Sequence, residues 1–362
     1  MNAKQEITDL TVCRAFFAAW VFVYHVDLYL NFSAWLGPFS GLIRHGYLGV
    51  DGFFMLSGLI LARVHPELAH SFSGAFKFWG KRLARIYPVH LATLLIFGAI
   101  LLAGFSHGMA PRDPGRFGLS AFLQNLLLVH GWGLASQGAW NYPSWSVSTE
   151  WAGYLLFPVL WRLISYFDEL VAIQIVVVAF GLIGLVATEH GHNLNLTFAD
   201  GLIRFFPEFI LGMSTARFVA RYADFSALRI FAPAGAALTL LFACLGSDLF
   251  TVIGLWLILF AFIMQSDAER PAMLGRIPVL RWLGQLSYAF YMSFAISELL
   301  VSQWFRHQNW VPQSHSLVFA SGMLAISFIL AVVLHVVVEL PCRRAADRWL
   351  ERPSLALAGN PL

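Results

Sequence analysis

The chain has 362 residues, 59% of them hydrophobic and 12% charged, with a mean hydropathy of +0.69 and a formal net charge of +3. Soluble domains carry about 25% charged residues, so a soluble domain of useful size is excluded, and so small a positive excess calls for no nucleic-acid partner. Three cysteines, Cys13, Cys244 and Cys342, show neither paired spacing nor a C-x-x-C, which leaves no basis for a disulfide framework or a zinc site.

A helix needs about 20 apolar residues to cross a hydrocarbon core of about 30 Å. In chain order the candidate spans are residues 8–30, 46–63, 85–105, 146–167, 170–187, 199–218, 227–246, 248–266, 283–305 and 313–338. The expected fold is all-α: a polytopic transmembrane bundle of about ten helices within residues 1–345, followed by a short cytoplasmic tail, 346–362. The stretch 118–131 is amphipathic and too interrupted to span, and reads as lying on the membrane surface or capping the bundle. The first span begins too near the N-terminus, and runs too long without a small-residue cleavage site, to be a removable signal.

Lysine and arginine set the orientation, because cytoplasmic loops are enriched in them. With the N-terminus inside, seventeen fall on cytoplasmic segments and four (Arg44, Arg112, Arg116, Arg306) on the other side, while Arg14 and Arg204 lie within spans. Both termini are therefore expected on the cytoplasmic face of a plasma or inner membrane.

Polar residues at membrane depth are costly unless they face a bundle interior or a wet cavity. In the first span, Arg14 and His25 are eleven residues apart, roughly three helical turns, so they share one helix face with a rise of about 16 Å between them. His25, Asp51, Glu150 and Arg204 all read as belonging to an outer layer of their spans, and Arg14, Arg82 and Arg85 to an inner one. The pattern describes an anion-binding inner mouth and an acid–base outer chamber. Structural alternatives stand beside each reading. Arg82 and Arg85 serve equally as positive-inside anchors, Arg14 can snorkel, and His25 can be a core histidine on a carbonyl. Asp51, between Gly49 and Gly52, can shape a helix entry, and Glu150, four residues after Ser146, can cap a helix. Trp132, Trp140, Trp145 and Trp151 read first as interfacial anchors. His190 and His192 lack acidic or thiol companions, so no metal site is expected.

These motifs, in this order and spacing, resemble the membrane acyltransferase 3 family. The likeness rests on Arg14-x10-His25, GYLGVDGFFMLSG (46–58), RLARIYP (82–88), PSWSVSTEW (143–151), RFFPEFILG (204–212), LGQLSYAFYM (283–292) and VELPCRR (338–344). It implies an acyltransferase that uses cytoplasmic acyl-coenzyme A, acetyl-CoA first among the donors, as co-substrate with no permanently bound cofactor. It implies His25 as the catalytic residue, Arg14, Arg82 and Arg85 as donor-binding groups, and a hydroxyl of a sugar or surface polysaccharide as acceptor. One departure is plain. Related chains commonly read Ser-Tyr-x-x-Tyr-Leu-x-His in the ninth span, and here Phe294 occupies the histidine position.

The chemistry agrees with that resemblance. Acyl transfer to a hydroxyl needs a base near neutral pH, which histidine supplies, and a carboxylate at its depth would orient the ring and stabilise its protonated form. Glu150 is the first candidate for that carboxylate and Asp51 the second. Arginine forks suit the phosphates of coenzyme A, and Arg82 and Arg85 lie one turn apart. Arg204, Trp145 and Ser146 are assigned to the acceptor side. Direct attack and a covalent acyl-histidine relay both stay open. So do two other function classes on a polar bundle: a transporter or flippase of a lipid-linked sugar, and an inactive assembly factor.

Overall fold

The computed structural model describes residues 7–107, 113–134, 137–222, 230–267 and 273–350. Among them there is no strand. The α-helices are α1 (Thr8–Leu30), α2 (Ser40–Arg44), α3 (Gly49–Val64), α4 (Ala75–Ser106), α5 (Leu119–Leu126), α6 (Trp145–Tyr166), α7 (Glu169–Glu189), α8 (Gly201–Tyr222), α9 (Phe231–Leu245), α10 (Asp248–Asp267), α11 (Pro278–His307), α12 (Ser316–Val333) and α13 (Leu340–Leu350). All ten apolar runs are thus mainly helical over their described residues, 227–229 lying outside them. Six helical stretches among the described residues are long and apolar enough to cross a membrane: Thr8–Leu30, Phe32–Val64, Ala75–Ser106, Glu169–Glu189, Asp248–Ser266 and Pro312–Leu350. Helices α6, α8 and α11 have the length, 22, 22 and 30 residues, but carry Glu150, Arg204, Glu208 and Glu298 among other polar residues, which lower their hydropathy.

The stretch 118–131 contributes only the short α5, which caps the bundle by docking on α4: Tyr87 Oη donates to the Leu126 carbonyl at 3.0 Å, and the His90 ring meets the Asn125 carbonyl at 2.8 Å. Helix α12 continues through a π-helical turn, Leu334–Glu339, into α13. Residues 346–350 of the expected tail are therefore the end of a helix packed on α4, while 351–362 lie outside the described residues. So do Lys4, Arg112, Arg229, Arg270 and Arg352, all part of the charge count.

Two close helix pairs position the site. In α1 and α11 the contacts advance together along both chains: Arg14 Nε donates to Ser287 Oγ (3.3 Å), Phe22 meets Phe290 (ring centroids 5.2 Å), His25 meets Phe294 (4.6 Å) and Tyr29 Oη donates to Glu298 Oε1 (2.7 Å). The two helices therefore run side by side in the same direction. Their start is pinned by buried Asp9, whose carboxylate accepts from the backbone N–H groups of Met273, Leu274 and Gly275. Small residues allow such approach in membrane bundles. The pair α3 and α8 depends on it, since a Cβ on Gly58 would strike the Phe209 carbonyl, and one on Gly212 the Met55 carbonyl.

Candidate active site

A cavity of about 530 Å³ opens among α1, α3, α4, α6, α11 and α13. Arg14, Arg82, Arg85, Arg343 and Arg344 line it, with Glu150, Tyr154, Ser287, Tyr288, Tyr291, His335 and Asp347. Five guanidinium groups against the Glu150 and Asp347 carboxylates of the lining, with buried Glu339 behind it paired to Arg343 at 3.6 Å, leave it net positive. Their pairing leaves much of that charge unused. Arg14 has the Ser287 hydroxyl. Arg82 Nη2 donates to His65 Nε2 at 3.0 Å while its Nε is buried without a partner, and Arg85 shows no hydrogen bond or ion pair among the described residues. His65 lies at the C-terminal end of α3. Its burial and the adjacent Arg82 guanidinium hold its pKa below the ordinary histidine value, which keeps Nε2 free to accept.

The three donor-binding candidates named from sequence thus meet in one chamber. Three further cavity-lining residues were not foreseen. The π-helical turn brings in His335, bonded to Glu339 at 2.8 Å, and α13 brings in Arg343 and Arg344. A π-turn inside an α-helix often marks a functional site, and the VELPCRR segment was the available signal.

Glu150 departs from its expected role. Its Oε1 accepts from Ser57 Oγ (2.7 Å) and Tyr154 Oη (2.6 Å), which puts it in the arginine chamber rather than beside His25. The reason is depth. Along α6, Trp145 packs on Phe54 and Glu150 on Ser57, and Ser57 lies six residues beyond Asp51, about 9 Å farther along α3. Helix α6 starts inside the bundle because the turn before it, Tyr142–Ser144, is itself interior, with Asn141 and Ser144 fully buried. The capping alternative also fails: α6 has no side-chain N-cap hydrogen bond.

Asp51 is likewise not the partner of His25. It forms a buried ion pair with Arg204, Arg204 Nε donating to Asp51 Oδ1 at 3.1 Å and Nη2 to Oδ2, while the same guanidinium donates to the carbonyls of Tyr47 (3.0 Å) and Leu196 (3.2 Å). Trp145 and Tyr47 cover it, with ring centroids 5.6 and 5.8 Å from the guanidinium carbon. Arg204 and Trp145, assigned to the acceptor side, are therefore parts of a closed knot joining α3, α6 and α8. Ser146 does line the cavity, and its hydroxyl meets Tyr291 Oη at 2.9 Å.

His25 has a different partner. Its Nδ1 lies 3.0 Å from Tyr142 Oη, which donates to Glu298 Oε2 at 2.7 Å, and Tyr29 donates to Glu298 Oε1. Asn141 anchors the turn that carries Tyr142, donating to Thr93 Oγ1 (2.9 Å) and the Met292 carbonyl (3.0 Å). Tyr142 sits outside every apolar run and could not be found from periodicity. Glu298 could have been: it is the one acidic residue within 283–305, a single turn beyond Phe294.

His25 does not line the cavity. Tyr291 does, its ring centroid 5.6 Å from that of Phe294, which lies 4.6 Å from the imidazole. One layer of aromatic side chains thus stands between the arginine chamber and the histidine. Phe294 fills the position where the resemblance expects a second histidine, and it gives His25 an apolar face.

Comparison with known proteins gives the family. A family model described as an acyltransferase domain matches residues 7–335. Among curated proteins, the acyltransferase MdmB of Streptomyces mycarofaciens is 30% identical over 346 residues, covering 87% of this chain and 85% of the relative. No solved structure matches the chain.

Proposed function

From the premise that the chain belongs to the acyltransferase 3 family, and is an integral membrane acyltransferase, we propose that it moves an acyl group, acetyl first, from cytoplasmic acyl-CoA to a hydroxyl of a sugar or surface polysaccharide. The observation that carries the donor assignment is the chamber itself: five arginines, two of them with unpartnered guanidinium nitrogens, around about 530 Å³. An uncompensated charge at membrane depth is expensive, and a phosphate-bearing ligand offsets that cost through charge-assisted forks. Arg82, Arg85 and the α13 arginines would take the nucleotide phosphates. Arg14, deeper, would meet the pyrophosphate or the start of the pantetheine arm.

In the reaction, the acceptor oxygen attacks the thioester carbonyl as the His25 imidazole takes its proton. The carbon–sulfur bond then breaks, and the proton passes from the imidazolium to the departing thiolate. Direct transfer needs no covalent intermediate. Movement of Tyr291 and Phe294 would admit the thioester to His25.

The proposed topology has ten crossings with both termini cytoplasmic. Its support, besides the lysine and arginine distribution, is the direction of helix pairs. The first and ninth crossings (α1, α11) run parallel, as do the second and sixth (α3, α8), where Asp51 faces Arg204, Phe54 faces Phe205 and Gly58 faces Phe209. An alternating path requires that of odd–odd and even–even pairs.

The test uses purified full-length protein in lipid nanodiscs with labelled acetyl-CoA and a panel of sugar acceptors, read by mass spectrometry. His25→Ala is expected to abolish transfer while acetyl-CoA still binds. Full transfer by that variant refutes the mechanism, and lipid-linked sugar movement without acyl transfer would favour a transporter. Parallel double-reciprocal lines would select the acyl-histidine relay.

A further inference from the structure

The hydrogen bonds around His25 fix more than its position. Glu298 accepts from two phenols, Tyr29 into Oε1 and Tyr142 into Oε2, each at 2.7 Å. A tyrosine hydroxyl has one proton. With that proton directed at Glu298, Tyr142 offers the imidazole only a lone pair, and the 3.0 Å contact to Nδ1 is completed by an N–H on that nitrogen. A neutral imidazole protonated at Nδ1 carries its free lone pair on Nε2. The ring's other close neighbours are Phe294 and Tyr24, with centroids 4.6 and 5.1 Å away, neither hydrogen-bonded to it.

We propose that Tyr142 and Glu298 are positioning residues for acyl transfer, holding His25 as the Nδ1–H tautomer so that Nε2 is the base. This inference rests on the acyltransferase reading above. In the transfer step the acceptor O–H bond breaks and its proton joins Nε2. The imidazolium then faces the Glu298 carboxylate through the Tyr142 hydroxyl, and returning the proton to the coenzyme A thiolate restores the neutral ring. The chain supplies from one turn farther along α11 the polar support that Phe294 does not give: Glu298 is four residues on, the spacing at which helical side chains are neighbours, and Tyr142 bridges the gap.

The test combines a tautomer measurement with kinetics on full-length protein in nanodiscs. With ¹⁵N-labelled histidine, the His25 signals are identified by their loss in His25→Gln. At neutral pH, Nδ1 is expected to report a protonated nitrogen and Nε2 an unprotonated one. Tyr142→Phe and Glu298→Gln should shift the ring toward the Nε2–H form and lower kcat for acetyl-CoA turnover, followed as thiol release, by about 100-fold, with KM for acetyl-CoA within about twofold. A merely structural role would not move the tautomer. A wild-type ring protonated at Nε2, or a tautomer unchanged in both variants, overturns the relay and leaves the acyltransferase reading standing. Turnover that persists in His25→Gln overturns the base, and with it this proposal.

Discussion

Asp51→Asn separates a structural acid from a catalytic one. Asp51 is fully buried, Arg204 is 2% exposed, and two further carbonyls hold the guanidinium at 3.0 and 3.2 Å. Removing one partner of a buried ion pair costs about 3–5 kcal/mol, chiefly by stranding the other charge. Asparagine keeps the shape and one acceptor oxygen, which places the single variant near the lower end, about 3 kcal/mol. Glu208 softens the loss further: it is fully buried, one turn from Arg204 on α8, and interacts with both members of the pair. It is placed to take over the guanidinium. The double variant Asp51→Asn/Glu208→Gln has no carboxylate left and should lose about 5 kcal/mol, with a coupling of about 1–2 kcal/mol between the two sites. Denaturant unfolding in detergent micelles, followed by tryptophan fluorescence, measures the losses, while kcat per folded molecule should stay within severalfold of the parent. An Asp51→Asn protein with parental stability and a hundredfold lower kcat would refute this account and return Asp51 to the catalytic machinery.

Three other predictions concern the chamber and its aromatic wall. Arg85→Ala should raise the apparent KM for acetyl-CoA about ten- to a hundredfold, since a charge-assisted hydrogen bond contributes about 1.5–3 kcal/mol, and isothermal binding measurements would check it. His65 accepts from Arg82 only when neutral, and its pKa is lowered by burial and by that guanidinium, so the contact is present at higher pH and lost as pH falls through the depressed value. KM for acetyl-CoA should therefore rise toward acid pH, and His65→Gln should flatten that dependence in a steady-state pH series. Phe294→Leu thins the layer between cavity and imidazole, and acceptor-free hydrolysis of acetyl-CoA should increase severalfold in a thiol-release assay.

How much of the site was legible depended on whether a residue's place could be reached by counting along one helix. Arg14 and His25 share α1, and Arg82 and Arg85 share α4, so helical spacing sufficed for them. Arg14, Arg82 and Arg85, expected in one layer, do line one cavity, because grouping them needs only rough depth. Glu150 failed because its depth was counted from the start of an apolar run, as though every run began at the same plane, whereas α6 begins beneath a buried turn held by Asn141 and Ser144. Asp51 and Arg204 were put at one depth, and they do meet; nothing in one dimension told that they face each other rather than the histidine. Tyr142 was out of reach for the same reason, since its place depends on contacts from α4 and α11 to the preceding asparagine.

Phe294 connects these observations. A histidine there would stand against the His25 ring and compete for its hydrogen bonds, whereas a phenylalanine offers the imidazole an apolar face and leaves Nδ1 to a single donor–acceptor chain. A lone pair desolvated on one side and fixed in tautomer by the other nitrogen is pre-organised for one proton acceptor direction, and that direction is set by α1 and α11, which carry His25, Phe294, Tyr29 and Glu298, together with the Tyr142 turn that Asn141 ties to α4 and α11. The arginines that would hold the donor are distributed over α1, α4 and α13. A shift of α13 during donor entry would therefore leave the imidazole and its relay undisturbed, whereas a shift of α4 would reach Tyr142 through Thr93 and Asn141, and the helix pair that carries Arg14 at one end keeps the base in register with the thioester at the other.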